Sequence, residues 1–271
     1  MARPLTVAGI FAHPDDETWS LAGSFALLVP KGVRGVVWTA TRGQAGEIAE
    51  ASGATRETLA EVREAEERAA MAVVGVETVS FGEFVDGRVD QADRDQLTTT
   101  IHRFVEAEQP DVVVTMEPQG VTAHADHIAV SQATKAAFAA YAATLTGRDR
   151  REPRMYYWGV PASRLARLRE LAAEAGTELP AEGQPFAPRS TPDEQFTCWV
   201  DTSTVAELRW RALAEHRTQA GEYTQLAAQG EVWREVLGSE EYIRVHPAPR
   251  PGEPAESSLV DAFGGSGGAD G

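Results

Sequence analysis

The chain has 271 residues, 42% of them hydrophobic and 24% charged, enough apolar material for one large α/β domain or two small ones. Its formal net charge of −16 argues against nucleic acid or an anionic membrane surface as the main partner, since both need a basic face. The single cysteine, Cys198, excludes an intrachain disulfide and a cysteine-rich metal centre, so any metal site would be built from His and carboxylates.

Met1-Ala-Arg-Pro leads straight into an apolar run, Leu5 to Phe11, with no signal-peptide pattern and no apolar span of membrane length. A cytoplasmic, soluble protein is therefore expected. Leu5 to Phe11 reads as a buried strand ended by Pro14, with the cluster His13-Pro14-Asp15-Asp16-Glu17 at its carboxyl end. In an α/β sheet that end faces the ligand crevice. Three acids and a His in one turn call for a cation or much solvent. A helix N-cap would account for the acids but not for His13. A divalent metal such as zinc takes imidazole nitrogen and carboxylate oxygen in one shell.

Helical spacing of Trp19, Leu21, Ala22, Phe25, Ala26 and Leu28 predicts a helix over 18–28, and Arg34 to Thr41 a second strand. The unit is expected to be right-handed and parallel. The turn Thr41-Arg-Gly-Gln-Ala-Gly-Glu47 would lie on the same edge, its glycines allowing close approach to a ligand or simply forming a surface loop. Thr55 to Val74 is a long amphipathic helix whose charges mostly form a solvated face. Thr78 to Phe81 is a short strand, Asp95 to Glu108 a helix carrying a structural His102, and Asp111 to Met116 a further apolar strand.

That last strand opens into Glu117-Pro-Gln-Gly-Val-Thr-Ala-His124-Ala-Asp126-His127 and a helix from Ile128 to Leu145, repeating the first architecture. If both strands are parallel in one sheet, both turns can converge on one ion. Beyond it, Arg154 to Val160 and Phe196 to Asp201 read as strands, and Pro161 to Ala175 and Thr202 to Ala228 as helices. Gly176 to Asp193 reads as a loop and a candidate pocket cover.

Ala12-His13-Pro14-Asp15-Asp16-Glu17 and His124-Ala-Asp126-His127 together resemble the two motifs of the zinc-dependent N-deacetylases related to the enzyme of glycosylphosphatidylinositol synthesis and to the mycothiol and bacillithiol pathway deacetylases. The resemblance implies one Zn2+ per chain held by His13, Asp16 and His127, with Asp15 as general base. It implies a protonated His124 facing the oxyanion and Asp126 orienting it. It also implies a substrate contact from Arg63, in Arg63-Glu-Ala-Glu66, with an ordinary helix salt bridge as the alternative. Glu47, in the glycine-containing turn, is a further substrate-contact candidate. His216, in a His-x-x-Gln element, either touches substrate or supports residues that do, a half-buried helix histidine being the alternative. The chain departs from the family's pattern at Gln44, where Glu is usual, and at Thr122, where some relatives carry Tyr.

The fold so implied is a single α/β domain over residues 1–245, with a Rossmann-like, mainly parallel sheet flanked by helices (residues 5–160) and a smaller C-terminal elaboration (161–245). Residues 246–271 are expected to form a flexible tail. The implied activity is hydrolytic removal of an N-acetyl group from a small N-acetylated amino sugar of the N-acetylglucosamine type, free or conjugated. The alternatives are an amidase acting on a larger sugar-thiol conjugate and a non-catalytic sugar-binding module of the same fold. No dinucleotide is expected, because no Gly-x-Gly-x-x-Gly follows the first strand. The oligomeric state is left open, with a homo-oligomer among the readings.

Overall fold

The run Thr6-Val-Ala-Gly-Ile-Phe11 carries apolar or small side chains at successive positions, which suits a strand covered on both faces. In the computed structural model it is β1 (Thr6–Phe11), and all six residues are buried. Residues 3–145, 150–174, 176, 178–181, 183–184, 187–221 and 232–264 are described. β2 (Arg34–Thr39) and β4 (Val112–Met116) flank β1 in parallel, with Val7 opposite both Gly35 and Val112. β3 (Thr78–Phe81) lies outside β2 and β5 (Arg154–Trp158) outside β4, both parallel to their neighbours. β7 (Ser239–His246) pairs antiparallel with β5, and β6 (Cys198–Asp201) antiparallel with β7. Among the described residues the sheet has seven strands in the order β3-β2-β1-β4-β5-β7-β6.

The chain moves outward from β1 to β3 on one side and then returns to β4 on the other, so the strand order reverses between β1 and β4. The carboxyl ends of those two strands therefore bound the crevice where open α/β sheets bind ligands. Alternating side chains of β1 feed two cores: Val7 and Phe11 pack with Leu21, Phe25 and Met71, while Ala8 and Ile10 pack with Leu97, Ile101 and Phe138. The first face is covered by α2 (Ala22–Leu28) and α3 (Leu59–Val73), the second by α4 (Arg94–Glu108) and α6 (Ala125–Leu145).

Several elements differ from the sequence expectation. The single helix expected over 18–28 is broken at Leu21 into α1 (Asp16–Ser20) and α2. The buried Glu240 carboxylate accepts the N–H groups of Gly23 and Ser24 and so caps α2 from β7. In place of the helix expected over 202–228 the chain forms a shorter helix, Ala206–Leu213, ended before a one-turn 3₁₀ segment at Arg217–Gln219; residues 222–228 lie outside the described residues. Thr218 donates both its N–H and its hydroxyl to Glu66 on α3, which pulls the chain off the helical path.

β7 is an unexpected strand, and the expected tail is packed through residue 264. Glu256 bridges to Cys198 beside β6 and accepts from Arg154, Tyr156 and Arg244, while Leu259 and Val260 are buried in the first core. Residues 265–271 lie outside the described residues.

Candidate active site

The turn after β1 is shaped by its own acids. Asp16 starts α1, and its Oδ2 accepts the N–H groups of Ala12 (3.2 Å) and His13 (2.9 Å). Asp15 sits at φ 109°, a region sterically disfavoured for a residue with a Cβ. The turn after β4 is equally constrained: in the short α5 (Gly120–Ala123), Gly120, Val121 and Ala123 have φ of 74°, 59° and 60°. For a β-branched residue such as Val121 this is a marked outlier, and such strain collects at functional sites. His124 then starts α6. Its carbonyl accepts from Ile128 N–H and its ring Nδ1 from Asp126 N–H (3.2 Å), an N-cap arrangement.

The two turns meet. His13 Nδ1 lies 3.1 Å from His127 Nε2, the latter lies 3.4 Å from Asp16 Oδ1, and His13 Nδ1 lies 3.8 Å from Asp16 Oδ2. The outer nitrogens are engaged elsewhere: His127 Nδ1 faces the Gly120 carbonyl at 3.1 Å, and His13 Nε2 faces Asp126 Oδ2 at 3.2 Å and Asp86 Oδ1 at 3.1 Å. If those outer nitrogens carry the ring protons, the inner ones present lone pairs to each other with a carboxylate beside them. Three acceptors then face one another without a donor, an arrangement that a cation satisfies. The donor set suits zinc chemically. His13 also belongs to two other groupings of metal-ligand spacing, with His124 and His127 and with Asp86 and Asp126. In the last of these the carboxylates already accept backbone N–H groups, Asp126 from Gly87 and Val89 and Asp86 from Ala45.

Charge follows this geometry. Burial works against a charged His13, but the hydrogen-bonded carboxylates of Asp126 and Asp86 outweigh it and raise its pKa to about 10. Burial opposes ionisation of Asp86 too, yet His13 holds its pKa down to about 2. The pKa values of His124 and His127 are lowered, in both cases chiefly by burial.

Two of these residues are held differently from the expectation. The Asp126 carboxylate hydrogen-bonds His13, not the His124 ring, because His124 at the N-cap position turns its Nδ1 toward the Asp126 backbone. His124 is pushed toward its neutral form rather than held protonated, since burial and the charge on His13 outweigh the nearby carboxylates. With Nδ1 accepting, its proton resides on Nε2.

Of the expected substrate contacts, Arg63 is 4% exposed and spans the base of the site. Its Nη2 donates to the Pro14 carbonyl and to Asp15 Oδ2 (3.0 Å), and its Nη1 to the Gly43 carbonyl. The glycines of the 41–47 turn make room for this guanidinium: a Cβ at Gly46 would fall 2.3 Å from Arg63 Nη1. Glu47 is exposed, and its backbone carbonyl accepts from Gln219 Nε2. His216 is fully buried beneath the first motif, 2.9 Å from Thr18 Oγ1.

Sequence reasoning did not single out Asp86 or Glu67, and it gave Glu17 no role of its own. Asp86 could have been found by the rule that found the others, since it follows a parallel strand on the crevice edge. Glu67 is wholly buried, accepts from Thr39 Oγ1, and is driven toward its neutral form by burial and by Glu17. Among the described residues, no helix is long and apolar enough to cross a membrane.

Comparison with known proteins follows the same lines. A family model described as "PIG-L: GlcNAc-PI de-N-acetylase" matches residues 9–138. The 1D-myo-inositol 2-acetamido-2-deoxy-alpha-D-glucopyranoside deacetylase of Rhodococcus jostii (strain RHA1) is 30% identical over 290 residues, covering 95% of this chain and 97% of the relative. In fold, the chain is similar to the N,N'-diacetylchitobiose deacetylase of Pyrococcus horikoshii, with TM-score 0.59, 18% identity, and coverage of 90% of this chain and 86% of that one. It is equally similar to the 4-carboxy-2-hydroxymuconate hydratase of Pseudomonas putida KT2440, with TM-score 0.59, 18% identity, and coverage of 91% and 98%. A shared fold therefore leaves the reaction to the residues on the turns.

Proposed function

Since this chain belongs to the PIG-L GlcNAc-PI de-N-acetylase family, we propose that it is a metal-dependent deacetylase that hydrolyses the acetamide of an N-acetylglucosamine glycoside. The inositol glycoside named for its relatives is the first candidate substrate. The observation that carries the reading is the meeting of His13 Nδ1, His127 Nε2 and the Asp16 carboxylate, with Asp15 next in sequence to one of them. These three residues are assigned as the zinc ligands. When bound, zinc would supply Lewis acidity, polarising the acetamide carbonyl and acidifying water.

The remaining chemistry falls to the chain's own side chains. The Asp15 carboxylate, held by Arg63 Nη2, takes a proton from the attacking water as general base. The water oxygen bonds to the acetamide carbon, and the carbonyl oxygen becomes an oxyanion. His124, whose Nδ1 accepts the Asp126 N–H and so leaves its proton on Nε2, donates a hydrogen bond to that oxyanion. Asp15 returns its proton to the amine nitrogen as the C–N bond breaks, and acetate and a free amine leave. Asp126 and Asp86 hold His13 in the tautomer that turns Nδ1 inward. This reading assigns the protein to the cytoplasm, in keeping with the single buried free thiol of Cys198.

The test is acetate release from a panel of N-acetylglucosamine conjugates, using chelator-stripped protein with and without added zinc. Zinc-dependent release is expected, with Asp15→Asn keeping the metal but losing most turnover and His127→Ala losing the metal. Full turnover by Asp15→Asn would sink the base assignment. No release from any conjugate by zinc-loaded protein would sink the deacetylase reading.

A further inference from the structure

Beneath the first motif lies a line of buried polar groups for which the reaction has no direct use. Thr18 Oγ1 lies 2.8 Å from Glu17 Oε1 and 2.9 Å from His216 Nε2. A carboxylate only accepts, so the single hydroxyl proton of Thr18 goes to Glu17, and its oxygen accepts from His216 Nε2–H. The other oxygen of Glu17, Oε2, accepts the backbone N–H of Asp15 at 3.1 Å. Glu17 and His216 are fully buried, Thr18 nearly so. The line thus runs His216 to Thr18 to Glu17 to the amide of Asp15, the residue held at φ 109°.

Two features suggest that this arrangement is built for the base rather than for packing. Among the described residues the buried His216 Nδ1 has no hydrogen-bond partner, an unmet polar atom that an apolar side chain would avoid. The short segment carrying His216 is also tied on both sides: Thr218 donates twice to Glu66 on α3, Ala49 N–H donates to the Thr218 carbonyl, and Gln219 donates to the Glu47 carbonyl.

The geometry points to His216 as a positioning residue that acts through Thr18 and Glu17 to hold the backbone of Asp15 where its carboxylate can serve as general base. The assignment rests on the reading of Asp15 given above. Arg63 fixes the Asp15 carboxylate from one side while this line fixes its amide from the other. The C-terminal elaboration thereby takes part in catalysis without touching substrate.

The test uses the full zinc-loaded chain with His216→Leu, His216→Gln, Thr18→Val and the double variant His216→Leu/Thr18→Val. Each single break in the line is expected to lower kcat about 10- to 100-fold, the scale of a small misplacement of a reacting group, with KM and zinc content unchanged. The double variant should be no worse than the poorer single, because both cut the same line. His216→Gln, whose amide N–H can replace Nε2–H, should recover most of kcat. Hydrogen exchange at the Asp15 amide should quicken in Thr18→Val and His216→Leu. Multiplying effects in the double variant, His216→Gln as impaired as His216→Leu, or an Asp15 amide protected as in the parent would each overturn the proposal. The exchange measurement needs no turnover, so it judges the line even if no conjugate is deacetylated. Thr18→Val and His216→Gln change little volume, so they keep the test open if His216→Leu does not fold.

Discussion

Gly46→Ala probes how tightly the Asp15 carboxylate is held, by adding one methyl group at a position that touches neither metal nor substrate in the proposed mechanism. A Cβ at Gly46 would lie 2.3 Å from Arg63 Nη1 and 3.3 Å from Arg63 Cζ and the Gly43 carbonyl. To reach the roughly 3.5 Å of ordinary contact the guanidinium must retreat by about 1.2 Å. It has little freedom to do so, because it is 4% exposed and bonded to the Pro14 carbonyl, the Gly43 carbonyl and Asp15 Oδ2. A retreat of that size stretches the 3.0 Å contact to Asp15 beyond hydrogen-bond range. Overpacking alone costs about 1–3 kcal/mol, and a charge-assisted hydrogen bond is worth about 1.5–3 kcal/mol. Turnover should fall by about 10²-fold, as when a catalytic group is misplaced by 1 Å. The assays are thermal unfolding and acetate release at saturating zinc, with zinc content measured in parallel. A Gly46→Ala protein with parental melting temperature and kcat would refute the idea that Arg63 is wedged against the turn and holds the base.

Three further outcomes are expected from the same arrangement. His13 has a folded-state pKa raised from 6.5 to about 10, so in metal-free protein its contribution to stability is complete below pH 6.5 and is lost as pH rises through about 10. Urea unfolding of chelator-treated protein should therefore weaken across that window, and a flat profile would contradict the Asp126 and Asp86 contacts. Asp126→Asn weakens the hold on His13 Nε2 and should lower zinc affinity about 10- to 100-fold in a competition titration; unchanged affinity would remove Asp126 from that role. Leu259→Ala, at a fully buried position in the C-terminal segment, should cost about 2–5 kcal/mol of unfolding free energy. Unaltered stability would mean that residues 256–263 do not pack as described.

The two motif turns are legible in the sequence because each couples an apolar run to a polar cluster, and a parallel sheet sends both to one edge. What local pattern cannot show is what distant residues do to a segment. Leu213-Ala-Glu-His216 reads as helix, yet Glu66, far back in the chain, draws Thr218 away and ends it. Ser239 to His246 does not stand out as a strand, because Glu240, Glu241 and Arg244 are buried charges whose partners include Gly23, Ser24 and Glu256. Asp126 stands out in its motif, but its partner depends on the N-cap geometry of His124, which sequence spacing does not specify. Asp86 escapes notice because no His accompanies it in sequence; its His is His13, supplied by β1.

This dispersal has a thermodynamic consequence for how the proposed metal site and the fold depend on each other. His13 and Asp16 come from the end of β1, His127 from the helix after β4, Asp86 from the loop after β3, and Arg63 from α3. Only the complete parallel arrangement brings them within hydrogen-bond range, and the inner ring nitrogens then face each other at 3.1 Å. Burial opposes a charged His13, but the hydrogen-bonded carboxylates of Asp126 and Asp86 and the charge of Asp16 favour a protonated ring in metal-free protein. Metal binding must therefore displace that proton, and in return it replaces a pH-dependent contact with ligand bonds that the unfolded chain cannot form in the same geometry. The strain at Asp15, Val121 and Ala123 sits on the same two turns, so the free energy of holding them belongs to assembling the site. The zinc-loaded protein is thus expected to gain stability together with activity, because both arise from one constellation at the switch point of the sheet.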